Sequence, residues 1–184
     1  MTDKNQLKDY IAADYEAEHG INTFCFRKKL LALLFDDSFK YMFWWRKTRY
    51  HYLKGNKVRF RMYQLVNKHY QYKYGCEICY KTDIGKGAVI THLSGVVVFA
   101  QKIGTRPWLH SGVLIGEGHA GQGDHPIIGN SVFFGAGCKV VGNITIGDNV
   151  IIGVNAVVIH DVPSNSVVAG VPAKVIGHCD SVWG

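Results

Sequence analysis

Residues 128–158 read IGNSVFFGAGCKVVGNITIGDNVIIGVNAVV. Every sixth position is a bulky apolar residue: Ile128, Phe134, Val140, Ile146, Ile152 and Val158. Glycine follows directly at Gly129, Gly135, Gly147 and Gly153. Such a period reads as one short strand and one corner per hexad, with about three hexads closing a triangular turn. Stacked turns set each apolar residue on its neighbour inside the prism. The glycine sits at or near the corner, where the chain must bend without a clashing Cβ. The residue two places before each apolar marker is often small, as a tight corner needs. The expected fold is mainly β, a left-handed parallel β-helix of hexapeptide repeats with a short α-helical N-terminal segment. Its only long free sheet edges would be at its two ends.

Working outward, the same phase gives Ile78, Ile84, Ile90 and Val96, and one inserted residue shifts it to Ile103, Leu109 and Ile115. Ile115 to Ile128 is 13 residues, one more than two hexads, and the intervening GEGHAGQGDHP lacks the apolar marker. Residues 116–127 are therefore expected to form a loop that leaves the prism. Downstream, DVPSNSVVAGVPAKVIG loses the phase and holds two prolines, so the coil is expected to end there.

Residues 1–75 follow another plan. They carry 15 Lys and Arg against 7 Asp and Glu, whereas residues 76–184 carry 6 against 7. The boundary falls near Gly75, giving a basic helical segment 1–75 and a coil 76–184. Leu7, Tyr10, Ile11 and Asp14/Tyr15 have helical spacing, with Gly20 as a stop. Phe24–Phe35 and Val58–Tyr74 read as two more helices. Residues 39–63, FKYMFWWRKTRYHYLKGNKVRFRMY, are dense in aromatic and basic residues. One reading has the aromatics pack the helices together under solvated charges. The other makes the segment a peripheral membrane contact, because Trp and Tyr beside Lys and Arg suit an anionic lipid interface. The charge also suits nucleic acid, but no groove-reading or RNA-binding motif accompanies it, so none is expected as a partner.

Composition sets the remaining bounds. Apolar residues make up 47% and charged residues 19%, as in an ordinary globular chain. No apolar run approaches the roughly 18–20 residues that span a bilayer, and MTDKNQLKDY is too polar for a signal peptide. The five cysteines, Cys25, Cys76, Cys79, Cys138 and Cys179, are odd in number and scattered. Reduced thiols and a cytoplasmic location, up to the inner face of the membrane, are expected. Cys76-x-x-Cys79 has no second CxxC and reads as structural.

The groups able to do chemistry are Glu77, His92, His110, His119, Asp124 and His125. His92 lies just after the inward Ile90. A neutral imidazole there can remove a proton from an attacking hydroxyl. Glu77, 15 residues earlier and so close to one turn away, could orient it. Asp124 and His125 stand at the end of the glycine-rich loop, where small residues permit close approach to a ligand.

Residues 76–177 resemble the serine acetyltransferase-like branch of the hexapeptide-repeat O-acetyltransferases. The matching stretches are IGKGAVITHLSGVVV, HSGVLIG, GDHPIIGNSVFFGAGCKVVGNITIGDNVIIGVNAVVIHDVPSNSV and the terminal GVPAKVI. The leader, through LKDY near the start and YKYGCEI at the junction, is similar to capsular and exopolysaccharide acetyltransferases of that branch. The resemblance implies a homotrimer, acetyl-CoA as acyl donor, direct transfer in clefts between neighbouring prisms, and no metal. It makes His92 the general base, in its H-x-x-G-[IV]-V setting, and Glu77 the carboxylate that orients it. His125 becomes the second cleft histidine, beside Asp124 on the substrate side. Ala136 and Val154 are implied along the pantetheine arm, and Lys174 near the nucleotide end of CoA. Serine acetyltransferases carry Asp directly before the base, where this chain has Thr91. That difference and the short basic leader favour a carbohydrate acceptor, a sugar hydroxyl of a surface polysaccharide or its precursor. Serine O-acetylation is the alternative. Two further rivals are a zinc hydratase using His92, His119 and His125, and a non-catalytic trimeric scaffold.

Overall fold

A computed structural model describes residues 3–20, 26–118, 123 and 125–182. Four helices lead: α1 Lys4–His19, α2 Phe26–Phe35, α3 Asp37–Leu53 and α4 Lys57–Tyr74. Asp3 caps α1, its carboxylate accepting from the Asn5 and Gln6 amides. Gly20 ends it at φ 64°, a conformation costly for a residue with a Cβ. Leu7, Ile11, Asp14 and Tyr15 are its buried residues, as their spacing predicts. Gly75 closes α4 in the same way, at φ 61°. The helix expected over Phe24–Phe35 is present from Phe26; Phe24 and Cys25 lie outside the described residues.

Fifteen short strands follow: β1 Glu77–Ile78, β2 Asp83–Ile84, β3 Val89–Ile90, β4 Val97–Val98, β5 Lys102–Ile103, β6 Trp108–Leu109, β7 Leu114–Gly116, β8 Ile127–Ile128, β9 Phe133–Phe134, β10 Lys139–Val141, β11 Thr145–Ile146, β12 Ile151–Ile152, β13 Val157–Val158, β14 Ser166–Gly170 and β15 Ala173–His178. They form three sheets. The first is ordered β1-β4-β7-β10-β13, the second β2-β5-β8-β11 and the third β3-β6-β9-β12-β14-β15. Through β13, each strand pairs in parallel with the strand three places on, which makes a three-sided coil. Its interior is a column of stacked markers: Ile78, Val98, Ile115, Val140 and Val158 on the first side, with Ile84, Ile103, Ile128 and Ile146 on the second. Ile90, Leu109, Phe134, Ile152 and Val168 line the third.

On the second side glycine follows the marker at Gly85, Gly104, Gly129 and Gly147, and close approach requires it. A Cβ on Gly85 would lie 2.5 Å from the Gly104 carbonyl oxygen, and one on Gly104 as near to that of Gly129. Such contacts are far inside van der Waals range, so only hydrogen fits between stacked turns.

The structure revises the sequence reading in five places. The inward residue of the fourth strand is Val98, paired with Ile78 and Ile115, and Val96 is the buried corner residue before it. Ile90 to Val98 thus takes eight residues and Val98 to Ile103 five. Counting the total insertion alone hid this slip. Gly116 and Ile127 belong to strands, so the loop is narrower than 116–127. The coil also continues past Val158: Val162 bridges to Ile146, and Val168 stacks beneath Ile152.

The fourth revision is α3, which occupies much of the stretch left between the expected helices. Phe39, Tyr41, Met42, Phe43, Trp45, Arg46, Thr48 and Arg49 are all buried on it. The fifth follows from this. A membrane contact through 39–63 loses Phe39, Tyr41, Phe43 and Trp45, which pack against the coil and α1. The aromatics thus do the packing, although several of the charges are buried as well.

Helix α3 lies across the open end of the coil and satisfies its first turn. Ser38 donates to the Ile90 carbonyl. Tyr41 donates to the Cys76 carbonyl and accepts from the Ile78 amide, each at 3.1 Å. Arg49 donates to the Tyr80 and Lys81 carbonyls and to Asp83. Arg46 is fully buried; it donates to the Ile84 and Gly85 carbonyls at 2.6 Å and pairs with Asp14 through two bonds. Asp14 also accepts from the Ala88 amide. Every charge here is matched, as burial demands.

Candidate active site

The prism has three edges. The edge from the third sheet to the first carries most of the residues singled out above. His92 follows β3 there, on the widened eight-residue corner, and is exposed. Below it come His110, after β6, then Ala136, after β9, then Val154, after β12. Backbone bonds stack these corners: Gly112 N donates to Ser94 O, Gly137 N to Ser111 O and Asn155 N to Ala136 O. Lys139 adds a rung, its Nζ donating to the Gly112 carbonyl at 2.6 Å. Lys174 continues the line. It pairs with Ala169 in the β14–β15 hairpin, and Ala169 lies against Gly153. So His92, Ala136, Val154 and Lys174, called from separate motifs, lie in that order along one edge.

Thr91 turns outward beside His92. Its Oγ1 accepts a hydrogen bond from the Trp108 indole at 2.6 Å. The next outward groups form a ring row: His110 lies 6.4 Å from His92 and 5.1 Å from Phe133, between centroids. Burial, and secondly the His92 charge, push the His110 pKa below the usual imidazole value, which favours a neutral ring near pH 7. Trp108 and Phe133 were not among the sequence candidates. Their signal was available, since each directly precedes an inward marker and strand alternation must point it outward.

His125 stands on a different edge, from the first sheet to the second. It lines a cavity of about 400 Å³ with Cys79, Lys81, Thr82, Phe99 and Gln101. Its Nδ1 is buried with no hydrogen-bond partner among the described residues. Asp124 and His119 lie outside the described residues. Glu77 is exposed at the start of β1, in register with Val97, and no hydrogen bond joins it to His92 among the described residues.

A single chain therefore does not bring His92 and His125 to one edge. The zinc reading likewise draws His92, His119 and His125 together from two neighbouring chains. Among the described residues one group has metal-ligand spacing, Glu18, His19 and Asp36, whose ligand atoms lie within 4.8 Å of one another, on the leader. Burial first, then the Asp36 and Asp14 charges, raise the Glu18 pKa to about 8. Cys76 is buried, which lifts its thiol to about 12, and neither it nor Cys79 is in a disulfide. Cys76 thus packs in the core, whereas Cys79 is half-buried on the wall of the His125 cavity. No helix among the described residues is long and apolar enough to cross a membrane.

Comparison with known proteins adds the following. Residues 125–160 match the family described as bacterial transferase hexapeptide (six repeats). A serine acetyltransferase of Synechococcus elongatus is 43% identical over 104 residues, 55% of this chain and 43% of that one. One of Staphylococcus xylosus is 38% identical over 122 residues, 65% of this chain and 56% of that one. The crystal structure of the Neisseria gonorrhoeae serine acetyltransferase superposes with a TM-score of 0.81 at 30% identity, covering 95% of this chain and 68% of that one. The chain spans about half the length of the curated relatives it matches.

Proposed function

The chain belongs to the hexapeptide-repeat transferases, in the branch of the serine acetyltransferases, and from that premise we propose that it is an acetyl-CoA-dependent O-acetyltransferase with His92 as general base. The observation that carries this reading is the single edge on which His92 stands above Ala136, Val154 and Lys174. Successive turns are about 4.8 Å apart. Three spacings from the His92 corner to the Val154 corner make roughly 14 Å, a length suited to an extended pantetheine arm. Exposed Lys174 at the far end offers a cation to the nucleotide phosphates.

In the proposed reaction His92 takes the proton of the acceptor hydroxyl as its oxygen attacks the acetyl carbonyl, and the C–S bond then breaks as His92 returns that proton to the sulfur, so that CoA leaves as the thiol. Backbone amides of the cleft hold the developing oxyanion. Glu77, one strand from the His92 corner, is proposed to orient the imidazole after its side chain swings toward it. His125 lies on another edge, so a site using both histidines is shared between two copies. We propose a homotrimer of left-handed coils, in which one copy's His92 edge faces the His125 cavity of the next. Asp124 would then border the acceptor.

The acceptor put first is L-serine, because the relatives above are serine acetyltransferases. Thr91 favours a second reading, a sugar hydroxyl. A carboxylate would pair with the ammonium of an amino acid; a threonine hydroxyl engaged by Trp108 brings no charge.

The test is release of free CoA from acetyl-CoA, with L-serine and a panel of neutral sugars offered in parallel. His92→Ala should lower turnover by roughly 10²–10⁴-fold while CoA binding is kept. Full turnover in that variant would refute the role of His92. Release of CoA with L-serine alone would remove the sugar reading, and release with sugars alone the serine reading.

A further inference from the structure

We infer that α2 is a lipid-contact helix that seats the protein on an anionic membrane surface. Its sequence is FRKKLLALLF, and Leu30, Leu31, Leu34 and Phe35 are 49%, 56%, 59% and 82% exposed. At about 100° per residue these four fall with Arg27 on one continuous arc. Ala32 and Leu33 face the other way, into the cluster with Leu7, Ile11, Phe39 and Phe43. The helix thus turns its larger apolar side to the outside. Single exposed leucines are ordinary, but four large apolar side chains on one short helix make a patch, and patches mark contacts.

Charge selects the occupant. Arg27, Lys28 and Lys29 open α2, and the helix has no acidic residue. Lys29 and Lys47 both lie over the Phe43 ring, and the Lys47 ammonium is destabilised by burial and by the Lys29 and Lys4 charges. The nearby acids are already engaged. Asp36 caps α3 and meets His19, and Asp37 bonds Lys40 and Tyr74. Glu18, with its pKa near 8, is largely neutral at pH 7. A second copy packing antiparallel would bring Arg27 to the far end of its partner's α2, where Asp36 and Asp37 are already held by His19, Lys40 and Tyr74. Anionic headgroups supply that charge, and their acyl boundary takes the leucines and Phe35. This surface is distinct from residues 39–51, whose aromatics are largely inside the fold. It goes beyond the acetyl-transfer reading and does not depend on which acceptor is used.

The test is co-sedimentation of the full chain with phosphatidylcholine vesicles, with and without about 30 mol% phosphatidylserine. Binding to the anionic vesicles should exceed binding to neutral ones by at least about tenfold. The double variant Leu31→Glu/Phe35→Glu should abolish it. Arg27→Gln/Lys28→Gln should weaken it by roughly twenty-fivefold, about fivefold per cation. Unchanged circular dichroism and CoA release with a soluble acceptor would show that both variants are folded. The proposal is overturned if the intact chain stays in the supernatant with anionic vesicles, or if Leu31→Glu/Phe35→Glu binds as the parent does. It is also overturned if that variant instead halves the mass of the assembly in vesicle-free solution, which would make the occupant a second copy.

Discussion

Thr91 shows how one contact sets the chemistry of a neighbouring position. The Trp108 indole donates into Thr91 Oγ1, so the hydroxyl proton is left to point elsewhere. The group beside His92 is then a neutral donor, suited to a hydroxyl or ether oxygen. Thr91→Asp would keep an acceptor for the indole and add a charge for an ammonium. We expect it to raise the preference for L-serine over sugars by about tenfold, read as the ratio of kcat/KM values; an unchanged ratio would leave Thr91 without a part in selection. The position was legible in the sequence, but its hydrogen bond was not, because Trp108 lies a full turn away. Glu18 makes a second case at this scale. An acid whose folded pKa is raised holds its proton in the native state over a range where the unfolded chain has released it. Its contribution to stability is therefore full below about pH 4.5 and is lost as pH rises toward 8. Glu18→Gln should raise the unfolding midpoint at pH 8.5, by an amount that shrinks toward zero at pH 4, followed by thermal melts across that range.

At the scale of elements, α3 is the piece that sequence patterning could not find. A surface helix shows an apolar stripe and a polar face. Helix α3 has no such contrast, because the coil lies on one side of it and α1, α2 and α4 on the others. Buried Arg46 and Arg49 look in the sequence like solvated charges, yet they cap carbonyls of the coil. The hexads, by contrast, were legible strand by strand, since each inward residue sees the same surroundings as the one six places on. They failed at Val96/Val98, where the corner bearing His92 is enlarged and the next is shortened. Removing one partner of a buried pair leaves the other charge without compensation. Arg46→Ala is expected to cost roughly 3–5 kcal/mol, measurable by urea unfolding. Arg46→Ala/Asp14→Asn should cost less than the two single changes added together. Strict additivity would show that the pair is not coupled.

For the molecule as a whole, the leader and coil are joined through the end of the prism. A parallel coil ends in unpaired peptide groups, which invite another chain. Here α3 covers the first turn, and the antiparallel β15 covers β14 at the other end of the third sheet. A chain beginning at Cys76 should expose the first turn and associate end to end, visible as light scattering that rises with concentration. A monodisperse product of residues 76–184 would show that α3 is dispensable for this purpose. The separation of His92 from His125 also belongs to this scale. It depends on which corner each occupies, and the uneven spacing after Ile90 makes corners hard to count from sequence alone. A whole turn of about three hexads, gained or lost between the corners of His92 and Lys174, changes the distance between them by one rung. On the proposed assignment the edge is a ruler with a fixed zero at the imidazole, and the number of turns below it sets how long a thioester carrier it can measure.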